Sequence, residues 1–374
     1  YTGEDMAEIY IHGSRVIAKR TLSVLSRFLR PAEGGEFTKR AFMNGKLDLS
    51  QAEAVMDVIS SVTEQGARMA EEQLAGSIGS GIKDIEDRLI DILSGVEAAL
   101  DYPDELEEDT VSALGSELAP IIDKLDYLIR GGNAARIFRE GASVAILGAP
   151  NAGKSSLFNA LMGTERAIVT SIPGTTRDTL EETLDICGAP VRITDTAGIR
   201  EGADEAERIG VERARKAGKR ADLILIAIDG TKPIDEESRA LIAAANRGEY
   251  KKCILIFTKA DKADFMPHEN GENCAALSPI SVSSVTGEGI EELKERMAAL
   301  LLTKEAESAL VTNSRHIHAL AEAKAALETA DAAMGTDLAA ADIRTALYAL
   351  GQITGREVTA DVIERIFSRF CVGK

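Results

Sequence analysis

The segment Gly148-Ala149-Pro150-Asn151-Ala152-Gly153-Lys154-Ser155 has the spacing G-x-x-x-x-G-K-S/T, which wraps backbone amides around phosphate groups. A short apolar run, Ser143–Leu147, precedes it, and a helical pattern, Lys154–Met162, opens directly behind it. A glycine-rich turn between a strand and a helix N-terminus favours an anion, because the amides point inward and the helix dipole adds potential. Asn151, Ala152 and Gly153 shape the loop and Ser156 follows it. Lys154 would reach the β- and γ-phosphates, and Ser155 would ligate Mg2+.

Three further segments follow in the order such a site needs. Gly174-Thr175-Thr176-Arg177-Asp178 is a loop in which one threonine can cap the metal. Asp195-Thr196-Ala197-Gly198 ends the apolar run Val191–Thr194; Asp195 would hold Mg2+ through water, and the Gly198 amide would meet the γ-phosphate. Thr258-Lys259-Ala260-Asp261 ends the run Cys253–Phe257. The Asp261 carboxylate can accept from the N1–H and 2-amino group of guanine, a donor pair that adenine lacks. Such motifs usually begin with Asn. Thr258 removes an amide but keeps a hydroxyl, and guanine selectivity is expected to survive. Ser281-Val282-Ser283 is the expected last base-contacting loop, and the nucleotide is expected to be GTP.

Ras-like proteins place a Gln after the D-x-x-G motif to orient the attacking water. Here that position is Ile199, which cannot hydrogen-bond. The acidic segment Glu201–Glu207 is the nearest supply of a water-positioning group; a solvated loop is the alternative reading.

The elements that must hold these residues alternate between Ser143 and about residue 300. Strands are expected at Ser143–Leu147, Thr183–Ile186, Val191–Thr194, Leu223–Ile228, Cys253–Phe257 and Pro279–Val282. Helices are expected at Lys154–Met162, Ala206–Ala217, Glu236–Ala245 and Glu291–Leu302. Alternation of this kind predicts a doubly wound α/β sheet with both faces buried. The flanks are helical. Apolar residues recur at three- and four-residue spacing from Leu49 to about Arg139, with an expected break at the acidic stretch Asp101–Asp109. Ala-rich helices are expected at Arg315–Met334, Leu338–Thr354 and Ala360–Phe370. The first 45 residues mix a strand (Glu8–Ile11), a helix (Arg15–Phe28) and a loop. The chain starts with Tyr in what reads as mid-strand, so part of an N-terminal domain is expected to be missing.

Composition sets the outer limits. The chain has 374 residues, no Trp, and no apolar run long enough to cross a bilayer. Its four cysteines are scattered without a C-x-x-C pair, which argues against a metal or disulfide framework and for a reducing cytoplasm. The net charge of −18 makes it a poor general binder of nucleic acid, so any RNA partner needs a local basic patch or a second protein.

With these residues assembled, the chain resembles the MnmE/TrmE family of tRNA-modification GTPases over nearly its whole length. The resemblance is carried by Tyr1–Asp5, Gly35-Glu36-Phe37, Arg40-Ala41-Phe42, Gly45–Leu49, Pro150–Ser156, Ala167–Thr170, Gly174–Asp178, Asp195–Gly198 and Phe370–Lys374. It implies a Ras-like P-loop GTPase domain (141–303) set into a discontinuous all-α domain (45–140 and 304–374). Residues 1–44 would be the remnant of an α+β folate-binding domain. It also implies a homodimer that works with the FAD-dependent protein MnmG (GidA) on the wobble uridine of certain tRNAs (5-carboxymethylaminomethyl type), with no role for a membrane.

At the level of residues, the resemblance matches Glu8, Lys46 and Lys374 to contacts with 5-formyl- or methylene-tetrahydrofolate. For Glu8 and Lys46, a plain strand-face or surface charge is the alternative. Asn151, Thr170, Ile172 and Thr175 match ligands of a K+ ion, Thr176 a ligand of Mg2+, and Glu207 the group that positions the attacking water. Arg177 and Arg200 would align the switch segments. Cys371 would act at the modification site, the alternative being a small hydrophobe on the last helix. Ala149 stands where many relatives carry Arg.

A different class competes: a ribosome-assembly GTPase of the Era/EngA kind. Those proteins share Asn151, the Thr-Thr loop and an apolar residue after D-x-x-G, but carry a basic RNA-binding module. The basic cluster evident here, Arg213–Arg220, reads as a solvated helix face. A scaffold with a degenerate site is disfavoured by the intact Lys154, Ser155, Asp195 and Asp261.

Overall fold

A computed structural model describes residues 1–164, 183–194, 221–266, 279–307, 309–330, 335–368 and 370; the side chains of 103–112, 164, 183, 194 and 307 lie outside the description. In chain order the elements are α1 (Arg15–Leu25), α2 (Glu36–Met43), α3 (Leu49–Ser60), α4 (Glu64–Leu74), α5 (Ser77–Asp101) and α6 (Pro103–Glu140). There follow β1 (Ala142–Leu147), α7 (Lys154–Thr164), β2 (Thr183–Ile186), β3 (Ala189–Thr194), β4 (Leu223–Asp229), α8 (Glu236–Asn246), β5 (Cys253–Thr258), β6 (Ile280–Ser281) and α9 (Ile290–Leu301). The chain closes with α10 (Lys304–Glu307), α11 (Ser314–Thr329), α12 (Thr336–Thr354) and α13 (Ala360–Phe367). Two compact units result: Tyr1–Ser60, Arg68–Arg130 and Asn313–Lys374 form one, and Ser61–Ala67 with Gly131–Thr312 form the other.

The second unit is built on a six-stranded sheet of order β2-β3-β1-β4-β5-β6, parallel except for β2, which runs antiparallel to β3. Strand side chains alternate between faces, and both faces are apolar. Val144, Ile146, Leu223, Leu225, Ile254 and Ile256 pack in one core with Leu157 and Leu161 of α7 and Leu293 and Met297 of α9. Their neighbours Ala145, Leu147, Ile224, Ile226, Leu255 and Phe257 pack in the other, with Leu241 and Ile242 of α8. Burying each such side chain stabilises the unit by about 2 kcal/mol. The strand order reverses at β1, so a crevice opens beyond the carboxyl ends of β1 and β4, the place where doubly wound sheets bind ligands.

In the first unit, α5 buries Ile78, Ile82, Ile85, Leu89 and Val96 at helical spacing. Against it lies α12, whose buried residues include Ala339, Ala340, Ile343, Ala346 and Leu350. Its small side chains let the neighbouring helices approach closely. Residues far apart in sequence are tied here by a buried charge cluster. Arg315 donates to Glu53 Oε1 at 3.1 Å and Oε2 at 2.7 Å, His316 Nε2 lies 2.8 Å from Glu53 Oε2, and Arg315 also donates to the Gln352 carbonyl at 2.6 Å. Burial alone would push the Glu53 carboxyl up, but His316 and Arg315 outweigh it and hold the group well below the usual carboxylate range. Arg356 with Glu86, Lys324 with Asp126 and Arg344 with Glu97 add further ties.

Three expectations need correction. Glu8–Ile11 is not a strand, for among the described residues no strand pairs with it. The break expected in the acidic stretch Asp101–Asp109 is present: Tyr102 separates α5 from α6. Pro103 opens α6, a position where its missing N–H is not needed. The helix expected at Arg315–Met334 ends at Thr329, and the one expected at Ala360–Phe370 ends at Phe367.

Glu53→Gln should lower the stability of the helical unit by about 3 kcal/mol, since it leaves Arg315 without its counter-charge. The folded pKa of Glu53 is depressed, so its contribution is complete above the unfolded value of about 4.5 and is lost as the pH falls below it. Urea titrations should therefore show a wild-type loss of stability below about pH 4.5 that is shallower in the variant.

Candidate nucleotide site

The loop joining β1 to α7 follows its path because two glycines leave room. At Gly148 (φ 156°) an added Cβ would lie 2.2 Å from the Ala227 carbonyl oxygen at the end of β4, so no side chain fits. At Gly153 (φ 84°) it would meet the Thr258 hydroxyl at 3.2 Å. Between them Asn151 takes a left-handed conformation (φ 64°), which Asn tolerates better than most residues. The opening amides of α7 have no carbonyl partners within the helix and point toward the loop's concavity.

Lys154 Nζ donates to the carbonyls of Gly148 and Ala149, both at 2.8 Å, which holds its ammonium across the loop. Ser155 and Ser156 are exposed in the first turn of α7, and Ala152 is buried beneath the loop. The amides, the ammonium and the Ser155 hydroxyl fit a nucleoside phosphate carrying Mg2+. Among the described residues no group of three His, Cys, Asp or Glu could hold a metal ion.

The segments expected to contact the base lie at the carboxyl ends of β5 and β6. Thr258, 2% exposed, donates its hydroxyl proton to the Ala152 carbonyl at 2.7 Å, with the Ile228 carbonyl at 3.1 Å. It therefore fastens the phosphate loop to the ends of β4 and β5. Lys259, in a left-handed conformation (φ 64°), donates to Asp229 at 2.6 Å. Burial would push the Asp229 carboxyl up, but hydrogen bonds from Lys259 and Thr231 bring it below its ordinary value. Asp229 and Thr231 were missed in the sequence; the only signal was an acid directly after the apolar run of β4.

Asp261 is exposed, and the Ser283 hydroxyl donates to it at 2.7 Å, holding its pKa down. Ser283 is itself buried and accepts from the amides of Val285 at 3.2 Å and Thr286 at 3.1 Å. The carboxylate is thus aimed by a fixed hydroxyl. The Val282 side chain is buried in the core, and its carbonyl accepts from the Ala260 amide at 3.1 Å. Ser281 is exposed and pairs with Phe257.

Asn151 through Ser156, Thr258, Lys259, Asp261 and Ser281 through Ser283 are thereby brought to one edge of the sheet. Thr170, Ile172, Thr175, Thr176, Asp195, Thr196, Ala197, Gly198, Glu207, Cys371 and Lys374 lie outside the described residues, as does the expected helix Ala206–Ala217. The other two expected folate contacts lie in the first unit. Lys46 crosses over Gly3, where an added Cβ would stand 2.9 Å from its Cε, and Glu8 accepts a hydrogen bond from the Tyr10 hydroxyl.

Thr258→Val keeps the shape but strips the proton that the Ala152 carbonyl receives. It should weaken binding of GDP and GTP alike by roughly 10-fold, with no change in preference between bases, and Thr258→Ser should restore affinity. Titration with fluorescent nucleotides measures both.

With that geometry in place, comparison with known proteins is direct. The family described as MnmE helical domain matches residues 49–371, and that described as GTP-binding protein TrmE N-terminus matches residues 1–46. The chain is 40% identical to the tRNA modification GTPase MnmE of Natranaerobius thermophilus over 384 aligned positions, covering all of this chain and 83% of that protein. It is 43% identical to the corresponding protein of Syntrophomonas wolfei, again covering 100% of this chain and 83% of the relative. Among solved structures, the G domain of the T. maritima FeoB iron transporter is 33% identical, covering 42% of this chain and 98% of that one with a TM-score of 0.32. The chain belongs to the MnmE family of tRNA modification GTPases.

Proposed function

We propose that this protein, a GTP hydrolase of tRNA modification, uses hydrolysis to drive conformational change in a complex that modifies wobble uridine to the 5-carboxymethylaminomethyl type. The observation that carries the reading is the joining of the phosphate loop to the base segment through Thr258, in a chain whose likeness to MnmE relatives extends through the helical segments. The ribosome-assembly alternative accounts for a G domain but not for those helical segments.

The residues divide the work. The loop amides and Lys154 bind the phosphates, with the ammonium leaving the carbonyls of Gly148 and Ala149 to do so. Asp261, oriented by Ser283, accepts from the guanine N1–H and 2-amino group. Ser155 would hold Mg2+ together with Thr176, Asp195 acting through water. When bound, Mg2+ supplies neutralising charge to the β- and γ-phosphate oxygens. Ile199 cannot orient the attacking water, and Glu207 is the residue to which that role falls.

Asn151, Thr170, Ile172 and Thr175 would hold K+, whose charge takes the place of an arginine finger as two G domains pair in a homodimer. The other elements of the reading are a tetrahydrofolate at Glu8, Lys46 and Lys374, Cys371 at the modification site, the FAD-dependent MnmG partner and a cytoplasmic setting. Among the described residues no helix is long and apolar enough to cross a membrane.

Steady-state GTP hydrolysis in KCl should exceed that in NaCl by at least about tenfold, and Glu207→Gln should lower kcat in KCl by roughly 100-fold. Equal wild-type rates in the two salts would remove the cation from the mechanism. Asp261→Asn should weaken GTP by roughly 100-fold while improving xanthosine triphosphate, whose 2-oxo group accepts where guanine donates.

A further inference from the structure

Both oxygens of the Asp229 carboxylate are engaged. Oδ2 accepts from Lys259 Nζ at 2.6 Å, and Oδ1 accepts from the Thr231 hydroxyl at 2.7 Å and the Thr231 amide at 3.1 Å. The Asp229 side chain is 12% exposed and that of Lys259 34%, so the lysine keeps an open flank. Lys259 makes this reach from a left-handed backbone (φ 64°), a conformation that a long side chain adopts only at a cost. An ion pair this far from water gives back little net stability, because desolvation nearly cancels the attraction. Nor is it needed to join the two segments. Asp229 and Thr258 already pair in the β4–β5 ladder, the Gly230 amide donates to the Thr258 carbonyl at 3.1 Å, and the Met266 amide donates to the Gly230 carbonyl at 2.9 Å. Backbone strain and a half-buried charge pair that the fold does not require point to a role in binding.

The strand order fixes where the lysine lies. β4 stands between β1, which carries the phosphate loop, and β5, which leads to Asp261. A side chain rooted just after β5 and ending on the last residue of β4 therefore spans the crevice between that loop and the Asp261 carboxylate. A guanine nucleotide with its base on Asp261 and its phosphates in the loop must pass over the lysine's four-carbon stem. Left alone, that stem rotates freely, and every rotor that binding must freeze weakens the complex. Pinned to Asp229, the stem is ordered before the nucleotide arrives.

We propose that Asp229 is a positioning residue for the nucleotide: by holding the Lys259 ammonium it stretches the lysine stem across the crevice and lengthens the lifetime of the bound guanine nucleotide. The assignment rests on the guanine-nucleotide reading above and adds to it a residue that touches no part of the ligand. Thr231 belongs to the same arrangement, since it fixes the carboxylate from the far side. Base choice stays with Asp261, which Ser283 orients without help from Lys259.

The test is stopped-flow release of a fluorescent GDP from the full chain with Mg2+, in a double-mutant cycle of Asp229→Asn and Lys259→Met. Asp229→Asn keeps the shape but removes the charge. It should speed release about tenfold and raise KM for GTP by a similar factor, with kcat moving far less. The preference for GDP over ADP should stay that of the wild type. Lys259→Met keeps a stem of similar length without the ammonium. In that background Asp229→Asn should add at most about a twofold change, because the group it acts through is gone. Release at the wild-type rate from Asp229→Asn would overturn the assignment. So would an effect of about tenfold that persists in the Lys259→Met background, since Asp229 would then act through the backbone alone. If Asp229→Asn does not fold, Thr231→Val tests the same chain of contacts: it should speed release about threefold with Lys259 intact, and an unchanged rate would overturn the proposal. A wild-type chain that holds ADP as long as GDP would overturn the guanine reading and the assignment with it, a failure told apart by its appearing without any substitution.

Discussion

The geometry of the nucleotide site depends on how closely three strand ends approach one another. Gly148, at the end of β1, sits so near the Ala227 carbonyl of β4 that a methyl group would collide with it. One step away, the Thr258 hydroxyl at the end of β5 bridges toward Ala152 of the phosphate loop and Ile228 of β4. Asp229, the last residue of β4, then receives Lys259 from the segment after β5. The phosphate loop and the expected base segment are therefore one interlocked structure. A buried hydroxyl leaves little slack, because losing it strands carbonyls that cannot reach water. The placement of Asp261 follows from the same frame, with Ser283 and the two amides behind it fixing the carboxylate before any base arrives.

The helical unit solves a different problem: its parts are separated in sequence by the whole α/β unit, and their closure has an entropic cost. Apolar burial along α5 and α12 offsets most of that cost, while the Glu53, Arg315 and His316 cluster adds direction. Ion pairs of this kind contribute less to net stability than to the choice of one arrangement, since their desolvation is nearly as large as their attraction. Glu53 is engaged by both Arg315 and His316, and Arg315 also caps the Gln352 carbonyl, so a shifted register would leave several buried polar groups unmatched.

Much of this was legible in the sequence because the signals were local. The strand runs ending in Leu147, Ile186, Thr194, Ile228 and Phe257 all became strands with bounds within two residues, since continuous apolar runs flanked by turns are what a sheet buried on both faces demands. The phosphate loop was legible for the same reason. What escaped was non-local or depended on context. Glu8–Ile11 has strand composition but, among the described residues, no strand to pair with. The pairing of Glu53 with Arg315 leaves no trace in either segment alone. The role of Asp229 appears only when Lys259 folds back upon it.

The central claim is that the edge of the sheet beyond β1, β4 and β5 selects a guanine nucleotide through Asp261. The most direct measurement is competition of GDP and ADP, each with Mg2+, against a fluorescent guanine nucleotide bound to the full chain. The account predicts that GDP displaces the probe at least about a thousandfold more effectively than ADP, because adenine presents no donor pair to the carboxylate. Equal displacement by the two would contradict it and would leave the phosphate loop as a site that does not read the base.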